Sequence, residues 1–402
     1  MTLSSNIWKL YAIKASKWMM LFMPIIWLFY EANGLTIRDL FVIQSIYSVT
    51  IVLIEIPSGY IADVFGRKNS MVVGTFFSFL GILTYTLSFG FDGFLLASLC
   101  LGIGQSFVSG SDTAIMYDSL AELNRSEDFI KLEGRTISMG NFAEATAFVI
   151  GGFLAQISLR TPFYYQVGIA LVGFIIALLL VEPKITRLED GAIKPWKNIK
   201  RIIRYALVEK SILRAYIFYS AIVGVATLTM AWFAQPYLKT LNIGIVYFGI
   251  IGAGLNLAVA ITSFYAHEIE RKINTRILFS LILLFIVSGY FTIAYLNNLW
   301  GLSILILFYM TRGVATPLLR DYMNRHTPSE MRATVMSIRS FVIRIFFAST
   351  SPMLGYVADV YSLQNALYLS GALFFVFGLL ILIYLISESN AQSIDPPTAT
   401  QV

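Results

Sequence analysis

Cysteine, histidine and charge are all scarce in this chain of 402 residues, and each shortage excludes a class of protein. The one cysteine, Cys100, cannot form an intramolecular disulfide. Together with only two histidines, His267 and His326, it cannot supply a His/Cys metal site. The phosphate-binding pattern G-x-x-x-x-G-K-S/T and the nucleophile elbow G-x-S-x-G are absent too. We therefore expect no enzyme activity, no catalytic residues, no metal, no cofactor and no use of ATP.

What the chain has in abundance is apolar sequence. Hydrophobic residues make up 57% and charged residues 13%, and the mean hydropathy is +0.73. A soluble domain carries about 25% charged residues, and a membrane-spanning helix needs roughly 20 apolar residues. The sequence therefore predicts an all-α membrane protein with twelve transmembrane helices, at residues 8–31, 40–60, 70–90, 94–119, 135–158, 163–181, 211–237, 244–266, 275–296, 299–321, 332–357 and 363–387.

The basic residues predict the orientation of these helices. Most lysines and arginines outside the helices fall in connections on one side, and only Arg38, Arg160 and Lys239 fall on the other. Because cytoplasmic loops are enriched in Lys and Arg, both termini are expected in the cytoplasm. The same scatter explains the net charge of +6 without nucleic-acid binding. The first apolar stretch lacks a cleavage pattern and reads as an uncleaved helix, and we expect a bacterial inner membrane.

One long polar connection divides the chain into two halves. We predict an N-terminal six-helix half (1–181), a cytoplasmic linker (182–210), a C-terminal six-helix half (211–387) and a disordered tail (388–402). A shift of 204 positions aligns Arg135 with Arg339 and Gly151 with Gly355, which favours two related halves. Within the linker, an apolar row at helical spacing alternates with basic residues, which predicts an amphipathic helix on the anionic inner leaflet. A plain charged linker is the alternative. The row is Trp196, Ile199, Ile203 and Leu207, and the basic residues are Lys197, Lys200, Arg201 and Arg204.

A charged run separates the second predicted helix from the third. Residues 59–68 read Gly-Tyr-Ile-Ala-Asp-Val-Phe-Gly-Arg-Lys, between apolar segments at 41–56 and 71–89. This pattern, G-x-x-x-D-x-x-G-R-K, resembles the loop signature of the major facilitator superfamily. The resemblance covers roughly residues 5–390. It implies two pseudo-symmetric six-helix halves and secondary transport of a small molecule by alternating access, driven by an ion gradient.

The signature also predicts a gate. We expect Gly59 to allow two helix ends to approach closely, Gly66 to form a tight turn with positive φ, and Asp63 to accept backbone N–H bonds at a helix N-terminus. The resemblance implies that Asp63 contacts the start of the eleventh helix, near Arg332–Thr334, and locks the halves in the outward-open state. A turn-capping role is the alternative. The predicted gating set is Gly59, Asp63, Gly66, Arg67, Lys68, Asp118, Arg135, Asp321 and Arg332, with Asp118 and Arg135 expected to pair.

Charges inside the predicted helices are costly and point to function. Glu144 is the main candidate for carrying a proton, because desolvation raises the pKa of a carboxylate, and Asp112 is the second. A static ion pair of Glu144 with Lys17 is the alternative. Lys17, Arg312 and Arg344 could bind an anionic substrate group, whereas Lys14 could extend to the inner surface. Trp27 and Trp232 could contact an apolar substrate, or else lie in the interfacial aromatic belt.

Two transport hypotheses follow. The first is proton-coupled efflux of amphipathic compounds, including drugs, by a monomer with the proton as coupling ion. The second is ion-coupled transport of a small organic or inorganic anion. The chain departs from the antiporter pattern of the fifth helix, where Ala147-Phe148 replaces Gly-Pro before Gly151-Gly152. It also lacks the arginine that many drug–proton antiporters carry near Ser98. A receptor that has lost turnover is a further alternative, which the intact signature disfavours.

Overall fold

A computed structural model describes residues 2–184, 195–296 and 298–394. These residues are mostly helical and include no β-strand. The twelve predicted transmembrane helices are confirmed, each long and apolar enough to cross a membrane. We number them as spans 1 to 12 in chain order: Ser5–Ala32, Ile37–Phe65, Arg67–Leu87, Phe91–Glu122, Ser126–Ile157, Thr161–Leu178, Ser211–Thr240, Ile245–Phe264, Thr275–Tyr295, Trp300–Arg325, Ser329–Val360 and Leu363–Ser389.

Two spans are interrupted, which the sequence analysis did not predict. Span 1 consists of helices Ser5–Trp18 and Ile26–Ala32, joined by residues that include the 3-10 turn Met23–Ile25. Pro24 lies in that turn, and its missing N–H interrupts the helical ladder. Span 4 consists of Phe91–Val108 and Ser111–Glu122, and Gly110 between them has φ +80°. That left-handed conformation favours glycine because other residues pay a steric cost there.

The chain divides into two compact units. Unit 1 is Met1–Leu188 with Leu238–Gly254, and unit 2 is Glu189–Tyr237 with Leu255–Val402. Spans 1 to 6 thus belong to unit 1, together with the end of span 7 and the first part of span 8. The core of unit 1 includes side chains of spans 1, 3, 4 and 6, among them Leu10, Met71, Ile115 and Ala177. Because these side chains are buried against one another, they fix the packing of the spans and so the positions of the charged residues at the span ends.

Small residues allow the spans of unit 1 to pack closely. A Cβ built on Gly74 of span 3 would lie 2.9 Å from the carbonyl oxygen of Gly104 in span 4. A Cβ on Gly151 of span 5 would lie 2.0 Å from the carbonyl oxygen of Leu21 in span 1. Close backbone approach at small residues is a usual basis of helix association in membranes. The contacts of spans 3, 4 and 5 therefore depend on glycine.

The predicted helix of the linker is present, whereas the predicted end of the last helix is wrong. The linker contains the helix Pro195–Arg204, as predicted, and continues as a π-turn at Tyr205–Glu209. The helix packs on span 11, and Ile202 is buried, whereas Ile203 of the predicted apolar row is exposed. The side chains of the row at 196 and 199 lie outside the described residues. The last helix runs Leu363–Ile394, so residues 388–394 of the predicted disordered tail are helical.

Candidate functional site

The signature forms a tight turn between spans 2 and 3. Span 2 ends at Phe65, span 3 begins at Arg67, and Gly66 between them has φ +98°, as predicted. The N-terminus of span 3 is capped by Glu182, which lies just beyond the end of span 6. Its two carboxylate oxygens accept the backbone N–H groups of Arg67 at 2.8 Å and Lys68 at 2.7 Å. A carboxylate is favoured at this position because the helix macrodipole is positive there.

The carboxyl group of Glu182 lies close to the Cα of Gly66. A Cβ built on Gly66 would lie 3.0 Å from the carboxyl carbon of Glu182. Glu182 was not predicted from the sequence, where helix-terminal capping was expected of Asp63. Asp63 is exposed in the last turn of the span 2 helix, and its contact with the start of span 11 stays a prediction.

The structure also differs from the prediction at Gly59. We predicted that two helix ends approach closely at this residue. It lies inside the helix Ile37–Phe65, and a Cβ built on it would meet no described atom within 4 Å. The close approach is therefore absent from unit 1, and the side chain of alanine would fit at this position.

Asp118 pairs with a different residue from the one predicted. Its carboxylate accepts a charge-assisted hydrogen bond from the guanidinium of Arg67 in the signature turn. Arg135, the expected partner, is exposed on span 5. The ion pair joins the start of span 3 to the final part of span 4, and both side chains are largely buried. The signature turn is thus held by two acidic residues, Asp118 and Glu182.

Unit 2 has a charge cluster at a similar place in its own sequence. Asp321 and Glu270 both pair with the guanidinium of Arg325 near the end of span 10. Glu270 belongs to the short helix Ala266–Lys272 that follows span 8. In unit 1 a basic residue after span 2 pairs with an acid of span 4, whereas in unit 2 an acid after span 8 pairs with a base of span 10. Arg332 is exposed and donates to the carbonyl of Thr327 at 3.2 Å.

A charged cluster lies inside unit 1 between spans 1 and 4. Lys14 of span 1 donates to the carboxylate of Asp112 at 3.0 Å, and both side chains are less than one-fifth exposed. Lys14 was expected to extend to the membrane surface, so its pairing is a correction. Asp112 is in the first turn after the break at Gly110, and Lys17 interacts electrostatically with both Asp112 and Lys14. The cluster combines two ammonium groups with one carboxylate.

Glu144 is half-buried near the middle of span 5. It lies 15 residues from Phe129 and 13 from Ile157, or about 22 Å and about 20 Å along the helix. Small residues occur on the same face of the helix, which packs against span 1. A Cβ on Gly140, one turn before Glu144, would lie 3.2 Å from the indole of Trp18. A carboxylate is therefore present deep inside span 5, beside its contact with span 1.

The remaining predicted residues divide between the two units. Trp27 is buried in span 1 of unit 1. Trp232, Arg312 and Arg344 are half-buried in spans 7, 10 and 11 of unit 2. The alternative to substrate binding by Arg312 and Arg344 is pairing with Asp112, Glu144 or Asp321, and in the structure Asp321 pairs with Arg325 and Asp112 with Lys14. These three side chains keep partial exposure at positions inside membrane spans.

Arg160 organises the end of unit 1 opposite the signature turn. Its guanidinium donates to the carbonyls of Thr86 and Ser88 and to the side-chain oxygen of Asn33, at 2.6, 2.9 and 2.6 Å. Burial lowers the pKa of this guanidinium from its usual value. From the sequence, Arg160 contributed only to the predicted orientation of the helices. Its position in the turn between spans 5 and 6 is the signal from which these contacts could have been predicted.

Comparison with known proteins decides the family. The family model described as Major Facilitator Superfamily matches residues 11–350. The chain belongs to the major facilitator superfamily. It is 23% identical over 165 residues to the quinolone resistance protein NorA of Staphylococcus aureus, over 41% of this chain and 42% of NorA. It is 26% identical over 163 residues to the uncharacterized MFS-type transporter MJ1560 of Methanocaldococcus jannaschii, over 40% of each chain. These matches thus span about two-fifths of either relative.

Solved structures of this superfamily share the fold. A mutant of the nucleoside transporter NupG superposes with a TM-score of 0.77 at 12% identity, over 96% of this chain and 100% of NupG. A bacterial homolog of the human lysosomal transporter Spinster, in an inward-facing and occupied conformation, gives 0.74 at 14% identity, over 96% and 97%. As a member of this superfamily, with twelve helices long and apolar enough to cross a membrane, the chain is an integral membrane protein.

Proposed function

We propose that this transporter exports amphipathic small molecules in exchange for protons. The observation that carries the proposal is Glu144, a carboxylate half-buried near the middle of span 5. A carboxylate that is desolvated in one conformation and hydrated in another binds and releases a proton as the protein alternates between them. The similarity to a quinolone resistance protein supports an amphipathic substrate.

The aromatic residues fit the same substrate class. Trp232 in span 7 is half-buried and offers a large, rigid apolar surface with a single polar N–H, whereas Trp27 in span 1 is buried in this conformation. Asp112 is a second acidic group, but its carboxylate is held in an ion pair with Lys14. We therefore assign proton exchange first to Glu144 and only secondarily to Asp112.

Transport of a small anion is the second candidate. Lysines outnumber carboxylates two to one in the Lys14–Asp112–Lys17 cluster of unit 1. Arg312 and Arg344 add partly exposed guanidinium groups inside unit 2. A fixed fork of donors suits a carboxylate or phosphate. In this hypothesis the intramembrane bases bind substrate, and the gating residues of the signature keep the same role.

We further propose that the protein functions as a monomer in a bacterial inner membrane, with both termini in the cytoplasm. The support is the lysine and arginine bias of the loops. This orientation places the signature turn, Asp118 and Arg325 on the cytoplasmic side. The gate proposed for Asp63 would then close that side when the transporter is open to the outside.

Proton flux in proteoliposomes tests the proposal. Purified full-length protein is reconstituted with an internal pH-sensitive dye, and lipophilic cations such as tetraphenylphosphonium or small organic anions such as benzoate are added in turn. We expect proton movement with the cations, at least about tenfold slower in Glu144→Gln because the carrier group is lost. Glu127→Gln, which alters an exposed acid at the start of span 5, is the matched control and should keep the wild-type rate.

The outcomes separate the two candidates. A response to cations that disappears in Glu144→Gln but not in Glu127→Gln supports proton-coupled export. A response to anions alone, reduced in Lys17→Gln or Arg344→Gln, contradicts export of cations and favours the anion transporter. Equal cation responses in Glu144→Gln and the wild type would remove Glu144 from the mechanism.

A further inference from the structure

Buried charges are rare in the described part of the chain. Among the charged side chains there, only Lys9 and Arg339 are buried. The ammonium of Lys9 donates to the carbonyl of Leu179 at 2.6 Å, at the end of span 6. Arg339, in span 11 of unit 2, is 8% exposed. It is seven residues beyond Arg332, where the helix begins, or about 10 Å along the axis.

The described residues provide little to balance the charge of Arg339. Its Nε donates to the hydroxyl of Ser220 in span 7 at 2.5 Å, which uses one of the five N–H donors of a guanidinium. A second positive charge acts on it from Arg320 of span 10, which is an exposed residue. No described carboxylate of unit 2 forms an ion pair with Arg339. Asp321, the acid that follows Arg320 in the sequence, is paired with Arg325.

A buried guanidinium without a carboxylate partner is unfavourable unless an anion compensates its charge. The terminal nitrogens of Arg339 form a planar fork that matches two oxygens of a carboxylate or phosphate. The hydrogen bond to Ser220 fixes Nε and so orients the fork. Arg320 adds a second positive charge that would attract the same anion.

We propose that Arg339, Ser220 and Arg320 form an oxyanion-binding site in unit 2, which takes a carboxylate or phosphate group. The site differs from the predicted substrate residues Arg312 and Arg344, which are only half-buried. It also differs from its counterpart in the first half, because Arg135 aligns with Arg339 but is exposed. The inference goes beyond export of amphipathic compounds and holds whichever way the proton-flux experiment turns out.

Anion-dependent thermal unfolding tests the site. Purified full-length protein in an uncharged detergent is titrated with inorganic phosphate or acetate, and chloride at equal ionic strength is the reference. We expect a saturable rise of the unfolding midpoint with phosphate or acetate. Arg339→Gln should weaken the apparent affinity at least about tenfold, the effect of losing one charge-assisted bidentate contact. Arg276→Gln, which alters an exposed arginine of span 9, is the matched control and should bind as the wild type does.

A lipid headgroup is the other source of such an anion. The same unfolding measurement in nanodiscs of phosphatidylcholine, with and without phosphatidylglycerol, distinguishes it from a free solute. Stabilisation by phosphate or acetate in detergent supports a soluble anion. Stabilisation by phosphatidylglycerol alone supports a lipid phosphate, provided that Arg339→Gln abolishes it.

The proposal is overturned if phosphate and acetate give the same unfolding midpoint as chloride, and nanodiscs with phosphatidylglycerol give the same midpoint as those without it. It is equally overturned if Arg339→Gln responds to these anions as the wild type does. Should Arg339→Gln fail to fold, Ser220→Ala and Arg320→Gln replace it. Both should weaken anion binding, and an unchanged affinity in both would contradict the site.

Discussion

At the scale of single residues, the ion pair of Lys14 and Asp112 is the interaction that most clearly joins spans 1 and 4. The two groups are 3.0 Å apart and less than one-fifth exposed. We expect a double-mutant cycle with Lys14→Met and Asp112→Asn to give a coupling energy of about 1–2 kcal/mol in the free energy of unfolding, because each single variant already loses the ion pair and the double variant loses it only once. Thermal unfolding in detergent measures it. Additive effects of the two substitutions would contradict the pairing.

Residue types were predicted from the sequence more reliably than their partners. Asp118 was recognised as part of a charged pair, but its partner is Arg67 rather than Arg135. The predicted start of span 5 placed Arg135 at the helix end, whereas the helix begins at Phe129. Arg135 is therefore one and a half turns inside and on an exposed face. Lys14 was similarly assigned to the surface, since the break at Gly110 that positions Asp112 was not foreseen.

At the scale of elements, the turn between spans 2 and 3 gives a contrast between two glycines of one signature. Gly66→Ala should destabilise the protein by roughly 1–2 kcal/mol, because φ is +98° and the carboxyl group of Glu182 would have to shift away from the new Cβ. Gly59→Ala should be neutral or stabilising by about 0.5–1 kcal/mol, because this residue is helical and its surroundings are open. Unfolding midpoints of the two variants test this. Equal destabilisation by both would contradict the described turn.

The contact of spans 1 and 5 gives a second prediction at this scale. A Cβ on Gly151 would lie 2.0 Å from the backbone oxygen of Leu21, so Gly151→Ala must displace one helix. We expect a loss of about 1–3 kcal/mol in the free energy of unfolding, typical of overpacking. Gly134→Ala in the same helix, where no described atom lies within 4 Å, is the control and should be tolerated. Retained stability of Gly151→Ala would show that the two helices do not pack so closely.

The spans themselves could be predicted because hydropathy reports length and composition directly. The interruptions of spans 1 and 4 could not be predicted, because the same residue types also occur in continuous helices. Pro24 lies at a break in span 1, whereas Pro57 and Pro317 remain inside the helices of spans 2 and 10. Whether a proline interrupts its helix depends on neighbouring spans that can satisfy the released backbone groups. The linker helix was predicted from its periodicity, and its packing on span 11 was not.

At the scale of the whole molecule, the signature predicts a gate that alternates. Asp63→Asn keeps the size of the side chain and removes its charge, so we expect slower transport and a shift away from the outward-open state. Spectroscopic distances between labels on the two units, measured with and without substrate, would report the shift. Asp92→Asn, at the start of span 4, is a control far in sequence from the signature. An unchanged transport rate and distance distribution in Asp63→Asn would exclude a gating role.

The most direct measurement of the proposed function is accumulation of a labelled lipophilic cation against its gradient. Proteoliposomes containing the wild-type protein are given an imposed pH gradient, acidic inside, and internal tetraphenylphosphonium is measured over time. Proton-coupled exchange predicts accumulation above the external concentration that a protonophore abolishes and that Glu144→Gln does not support. Equal internal and external concentrations, with or without the gradient, would contradict proton-driven export of this class of compound.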